Sequence, residues 1–209
     1  MESNLRLRIL SSLFLAIIIG LVIYVGNYAF CALVVLTAML EYQEWQNMTK
    51  QKSSFLKSFL QIIGLIVIVL FNTSMLYIYT KDVMVFFWLG ICVVSNDIFA
   101  YCFGRYFKGY KLLPIISPNK TWSGFFGGLL ASLIFGSAFA FFTGLGVNFI
   151  ALSAIVSVLA TVGDILESLL KRCCSFKDSG AIIPGHGGIL DRVDGFLISA
   201  PFVAYVLIY

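Results

Sequence analysis

The chain has 209 residues, of which 60% are hydrophobic and 11% charged, with a formal net charge of +4. Soluble domains carry roughly 25% charged residues, so a mean hydropathy of +0.98 excludes that class and points to one polytopic membrane unit. The five cysteines (Cys31, Cys92, Cys102, Cys173 and Cys174) have no CxxC spacing and no partnering histidines, which argues against a zinc site or a disulfide framework.

Arg6 and Arg8 precede an apolar run, Ile9–Val25. A secretory signal peptide begins in the same way, but no small-x-small cleavage site follows and a second run, Tyr28–Leu40, starts almost at once. A first transmembrane helix is the better reading. The second run ends in LEYQEW, with Glu41, Glu44 and Trp45 expected at the membrane interface. Phe55–Tyr79 is long enough to span with tilt. After a short turn at Thr80–Asp82, the fourth run extends from Val83 to about Val94 and passes into the polar Ser95-Asn96-Asp97. A polar stretch, Tyr101–Trp122, leads to a fifth run, Gly124–Phe142, and a turn at Gly144–Asn148. A sixth run extends from Phe149 to about Leu170, and after a charged segment a seventh ends at Tyr209.

Charge tests this topology. With the N-terminus inside, the cytoplasmic segments are the N-terminus, 46–57, 101–122 and 171–194, and they hold thirteen of the fourteen Lys and Arg residues; only Lys81 falls elsewhere. The predicted fold is all-α: a polytopic transmembrane helix bundle of about seven spans with a cytoplasmic N-terminus. Residues 1–209 form a single integral membrane domain, with N-terminal spans in 1–94 and the chemistry in 95–209.

Two stripes mark the helices of that second part. Gly124, Gly128, Ser132, Gly136 and Ala140 recur every fourth residue, a small-residue face that lets another backbone approach. On the sixth run, Ser153, Ser157, Thr161, Asp164, Ser168 and Lys171, with Glu167 beside them, fall within an arc of roughly 120°. Ionisable groups at membrane depth are costly unless paired or facing water, so this face reads either as an internal salt bridge to Lys171 or, in preference, as a cavity wall.

Ser168–Asp194 then gathers four cations, three aspartates and the sole histidine into 27 residues. The seventh run, Phe196–Tyr209, covers about 21 Å as a helix, short of a hydrocarbon core of about 30 Å. Starting it near Asp191 adds length and puts Asp191 and Asp194 in its first turn, on one face. Acidic residues favour helix N-termini as caps, yet with Asp164 these two offer three hard oxygen donors of the kind magnesium prefers. Pro184-Gly185-His186-Gly187-Gly188 is a glycine-rich turn whose N–H groups can approach phosphate. Lys171, Arg172, Lys177 and Arg192 supply the positive field. A phosphate monoester is largely ionised near neutral pH, so its attack on a nucleoside triphosphate needs alignment and charge neutralisation more than a strong base.

These residues carry a resemblance. Ser168–Asp194 resembles the signature of the phosphatidate cytidylyltransferases in the form SxLKR, KD, PxHGGxxDRxD, with Ser168, Leu170, Lys171, Arg172, Lys177, Asp178, Pro184, His186, Gly187, Gly188, Asp191, Arg192 and Asp194 all in place. Gly163-Asp164 with Glu167-Ser168 resembles the GDxxES segment of that family. Ser117–Trp122 resembles its SPxKTW motif, and Asp97, Ala100, Tyr101, Gly104 and Arg105 its DxxAYxxGR segment. The resemblance covers about half the chain, from Asp97 onward. It implies that CTP and phosphatidate give CDP-diacylglycerol and pyrophosphate with Mg2+ and room for a second cation. It further implies Asp164, Asp191 and Asp194 as metal ligands and catalytic residues, and Ser168 and Lys171 in the same site. Lys171, Arg172, Lys177 and Arg192 would hold phosphates, and Lys120, His186 and Ser117 are read as further substrate contacts. A homodimer in the bilayer of a bacterial inner membrane, with its active site facing the cytoplasm and no nucleic-acid partner, completes the expectation.

Some of these residues also have local readings. Ser117 and Pro118 suit a helix N-cap and first helical position. Asp97 could cap, pair with Arg105 or serve the active site. Most bacterial members have more spans before the DxxAY segment than the four here. A cation-coupled transporter is the alternative class, but its site would lie near the membrane midplane, and these charges sit at cytoplasmic helix ends.

Overall fold

The structure, a computed structural model, describes residues 14, 17–180, 182 and 187–209. The predicted first span, Ile9–Val25, therefore lies partly outside the described residues; residues 17–25 are helical. Gly26, at φ 103°, separates them from α1 (Asn27–Thr49). Next come α2 (Ser54–Lys81) and α3 (Val83–Phe107), the latter opened by Asp82, whose carboxylate accepts the Met84 N–H at 2.7 Å. A hairpin of β1 (Lys111–Leu113) and β2 (Ser117–Thr121) precedes α4 (Trp122–Thr143) and α5 (Asn148–Cys173), and the chain closes with α6 (Leu190–Val193) and α7 (Phe196–Ile208).

α2, α3, α4 and α5 are each long and apolar enough to cross a membrane. Ile62, Ile66, Val69 and Leu70 of α2 point outward, an arrangement that water penalises and lipid does not. The chain is a membrane protein.

The chain forms two compact units, Met1–Leu76 with Lys171–Val193, and Tyr77–Leu170 with Asp194–Tyr209. Within the first, the Trp45 indole donates to the Leu60 carbonyl at 2.8 Å, and the Asn72 amide donates to Glu41 Oε2 at 2.7 Å. Glu41, Glu44 and Trp45, which the sequence suggested reach the membrane interface, are buried within the unit. Each has found a polar partner inside the unit, which is what makes burial of such groups tolerable.

The second unit is organised on the small-residue stripe of α4, whose five residues are all buried. A Cβ on Gly124 would come within 2.6 Å of the Ala100 carbonyl, and one on Gly128 within 2.6 Å of Asn96 Oδ1. α3 answers with its own period of four, Cys92, Asn96, Ala100 and Gly104, so the two backbones meet as the spacing predicts. Trp88, wholly buried, donates to the Ser153 hydroxyl at 3.2 Å and packs edge-on against Phe149.

Three boundaries differ from the sequence reading. The fourth helix does not give way at Ser95-Asn96-Asp97 but continues to Phe107; the Ser95 hydroxyl bonds back to the Cys92 carbonyl, and Asn96 Oδ1 accepts from Ser157 at 2.7 Å. Ser117 and Pro118 belong to a strand. Lys111 pairs with Thr121 and Leu113 with Ser117, and the helix cap is Thr121, whose hydroxyl accepts the Gly124 N–H at 3.1 Å. A two-stranded ribbon has a free edge on each strand, so Pro118 costs it little. This hairpin is an addition to the all-α expectation. Finally, Asp191 and Asp194 do not share one continuous helix: Asp191 lies in α6 and Asp194 in the turn before α7.

Candidate active site

In the second unit, a cavity of about 290 Å³ opens among α3, the hairpin and α5, with Asn96, Asp97, Ser117, Lys120, Thr161 and Asp164 among its lining residues. Lys120 and Asp164 form a salt bridge of 2.6 Å, and the Ser168 hydroxyl donates to Asp164 Oδ1 at 3.4 Å. The hairpin explains how Lys120 gets there: β2 runs directly into α4, and the Thr121 cap fixes that junction. The polar face of α5 is thus divided. Ser153 and Ser157 are fully buried and bond between helices, whereas Thr161 and Asp164 line the cavity.

The turn holding Asp194 packs its backbone carbonyl against Gly163, where any Cβ would collide with it. This accounts for glycine beside Asp164. Asp194 accepts the Gly195 N–H at 2.8 Å. Burial, together with the charges of Asp164, Glu167 and Asp97, pushes its carboxyl up to about 8. Three acidic side chains thus each act against a charge on Asp194.

The first unit holds a contrasting arrangement. Asp191 Oδ1 meets Lys171 Nζ at 2.6 Å. Oδ2 accepts the N–H groups of Ser179 and Gly188, both at 2.9 Å, and lies 3.0 Å from the Ser179 hydroxyl. Burial disfavours its charge, but the Lys171 ammonium and the Gly188 and Ser179 N–H groups outweigh that and hold the carboxyl below its ordinary value. Gly187, at φ 84°, is left-handed, and a Cβ there would lie 2.6 Å from Asp191 Oδ2. Only glycine satisfies both conditions.

Residues 58–209 match the cytidylyltransferase family. The chain is 34% identical to a phosphatidate cytidylyltransferase of Rickettsia felis, over 99% of this chain and 94% of that protein. It is also 34% identical to the Rickettsia prowazekii protein of the same name, over 100% and 94%. A stretch covering 56% of the chain is 45% identical to the phosphatidate cytidylyltransferase of Staphylococcus haemolyticus, of which it covers 46%.

The chain belongs to the cytidylyltransferase family. Within this member, Asp164, Ser168 and Asp194 lie in the second unit with Ser117 and Lys120, and Lys171 and Asp191 lie in the first. Arg172, Lys177 and Arg192 are exposed. His186, with Pro184 and Gly185, lies outside the described residues. Two participants escaped the sequence reading. Glu44, expected at the interface, turns its carboxylate to Ser179, Ile189 and Leu190. Asn96 joins α3 to α5 through Ser157 beside Asp97, and the small-residue stripe opposite it was the available signal.

Proposed function

We propose that this chain is a phosphatidate cytidylyltransferase, transferring the cytidylyl group of CTP to phosphatidate to give CDP-diacylglycerol and pyrophosphate. The observation that carries this reading is the alignment with rickettsial proteins of that name over 94% of their length. The geometry supports it: a lysine and carboxylates line one cavity in a membrane protein, as a polyanionic, lipid-linked reaction requires.

In the proposed reaction, a phosphate oxygen of phosphatidate forms a bond to the α-phosphorus of CTP while the bond to the oxygen bridging to the β-phosphate breaks. Pyrophosphate leaves with that oxygen. Lys120 and Ser117 would hold substrate phosphate in the cavity, and Arg172, Lys177, His186 and Arg192 would bind the triphosphate. Because the attacking phosphate is already largely ionised, these residues align and neutralise; none has to abstract a proton.

Asp164, Asp191 and Asp194 are the proposed ligands of Mg2+, with room for a second cation. The donor chemistry fits. Asp194 is pushed up by burial and then by its acidic neighbours, and a cation would relieve the second of these; Asp191 Oδ1 carries only the Lys171 bond among those described, leaving a lone pair. Among the described residues no group of three or more His, Cys, Asp or Glu side chains is placed to hold a metal ion, so the ligand set rests on the resemblance and on donor chemistry. Magnesium commonly binds through one or two carboxylates, with water and substrate oxygens completing its shell. When bound, the ion would neutralise the charge developing on the transferred phosphoryl group.

The topology with thirteen of fourteen cations on one side supports an active site facing the cytoplasm, in a bacterial inner membrane, and the enzyme would work as a homodimer. The test is direct: purified protein with labelled CTP, Mg2+ and phosphatidate in mixed micelles should yield labelled CDP-diacylglycerol and pyrophosphate. Wild-type protein that is folded yet forms neither product would refute the assignment.

A further inference from the structure

We infer that Glu44 is a positioning residue that closes the neck of the loop between Ser179 and Leu190, and so sets how Lys177 and Arg192 are presented to phosphate. The inference rests on the reaction proposed above and adds to it a residue outside the family-matched segment 58–209.

Glu44 sits on the last turns of α1 and is 2% exposed. Its Oε1 accepts the Ile189 N–H at 2.9 Å. Its Oε2 accepts the Leu190 N–H at 3.0 Å and lies 2.9 Å from the Ser179 hydroxyl. One carboxylate therefore holds the segment entering the loop and the segment leaving it. The fit is close on both sides: a Cβ on Gly180 would come within 2.6 Å of Oε1, and one on Gly188 would run into Oε2 and the Ser179 hydroxyl. These glycines let the two segments close on the acid.

Chemistry singles out a carboxylate here. The neck presents two N–H groups and a hydroxyl, and a carboxylate accepts all three without offering a donor of its own. Glutamine would turn an NH2 group toward at least one N–H. A purely structural role would show as lost stability in every variant, since removing the acceptor leaves the Ile189 and Leu190 N–H groups unsatisfied. The Ser179 hydroxyl also lies within bonding distance of Asp191 Oδ2, so Glu44 and Asp191 share the same hinge, and Asp191 passes the constraint to Lys171. Lys177 lies two residues before the neck and Arg192 two residues after it. Loosening the neck frees both.

The test uses the full-length protein with Glu44→Gln, Glu44→Ala and Glu44→Asp. Hydrogen exchange of the amides of residues 188–190, read without substrate, should speed up in Glu44→Gln while the thermal midpoint stays within a few degrees of wild type. In the transfer assay, Glu44→Gln should raise KM for CTP and lower kcat/KM by about tenfold or more, the scale of one lost charge-assisted hydrogen bond, with KM for phosphatidate unchanged. Glu44→Asp, which keeps both oxygens on a shorter side chain, should recover part of the loss, and Glu44→Ala should not. Unchanged exchange in Glu44→Gln overturns the neck, whether or not wild type shows transfer. Kinetics equal to wild type, or losses in all three variants that merely follow the folded fraction, overturn the positioning role. A wild type without transfer refutes the reaction, and the exchange result then still decides the neck.

Discussion

Two aspartates three residues apart, Asp191 and Asp194, experience opposite environments. Asp191, in the first unit, has a lysine on one oxygen and two backbone N–H groups and a hydroxyl at the other, and its carboxyl is held below the usual range. Asp194, in the second, is largely buried and feels the charges of Asp164, Glu167 and Asp97, and its carboxyl is pushed up to about 8. A carboxylate whose charge is already answered organises the chain around it. One that is buried and crowded by like charges is disfavoured in its charged form, and a nearby cation would offset that cost. The two carboxyls therefore differ in what a variant should disturb: the loop held around Asp191, and the balance of charge around Asp194.

The largest effect expected on this contrast comes from the crowded side. Asp164→Asn should lower turnover by roughly 10³-fold, the scale on which removing one electrostatic partner of a transition state acts, with membrane insertion and expression unchanged. Radiolabelled transfer from CTP is the measurement, and near-normal activity would remove Asp164 from the proposed ligands.

On the satisfied side, the loss should appear as stability. Lys171→Met leaves Asp191 largely buried without its counter-ion, at a cost of about 3 kcal/mol. It would register as a lowered midpoint in denaturant or heat before any kinetic measurement is made. A variant as stable as wild type would show that the Lys171–Asp191 pair does not hold the loop.

A further measurement distinguishes the two aspartates by the sign of their pH dependence. In metal-free buffer, the unfolded chain releases the Asp194 proton near pH 4 and the folded chain near pH 8. Between those values the folded state binds the extra proton, so stability falls as pH rises. Asp194→Asn should flatten that slope, and Mg2+ should flatten it in wild type. Asp191, with its depressed value, acts in reverse: it stabilises above its unfolded value and loses that contribution as pH falls through its folded one, below about 4. An Asp194→Asn protein with the wild-type slope would place the titrating group elsewhere.

Much of this was readable in the sequence because the relevant physics is local or periodic. The apolar runs gave α2, α4 and α5 to within a few residues, since hydrocarbon thickness fixes their length. The period-of-four stripe of small residues marked α4 for a close backbone contact, and the structure supplies α3 as the partner. The hairpin was missed because Pro118 after Ser117 suits a helix start as well as an edge strand, and only pairing with Lys111–Leu113 decides between them. α3 was cut short because Ser95-Asn96-Asp97 looks like an exit from the membrane until Ser157 is seen opposite Asn96.

The sequence by itself determined that this is a membrane protein of the cytidylyltransferase family and which acidic and basic residues carry its signature, because composition and fixed spacing survive without coordinates. Tertiary structure alone decided the partners. Lys120 belongs to Asp164 across 44 positions, and Glu44 to Ser179, Ile189 and Leu190 across 135 to 146. Charges and hydrogen bonds act over a few ångströms of space, whatever the distance along the chain. A glutamate at the end of an apolar run looks the same in sequence whether it meets water or clamps a loop.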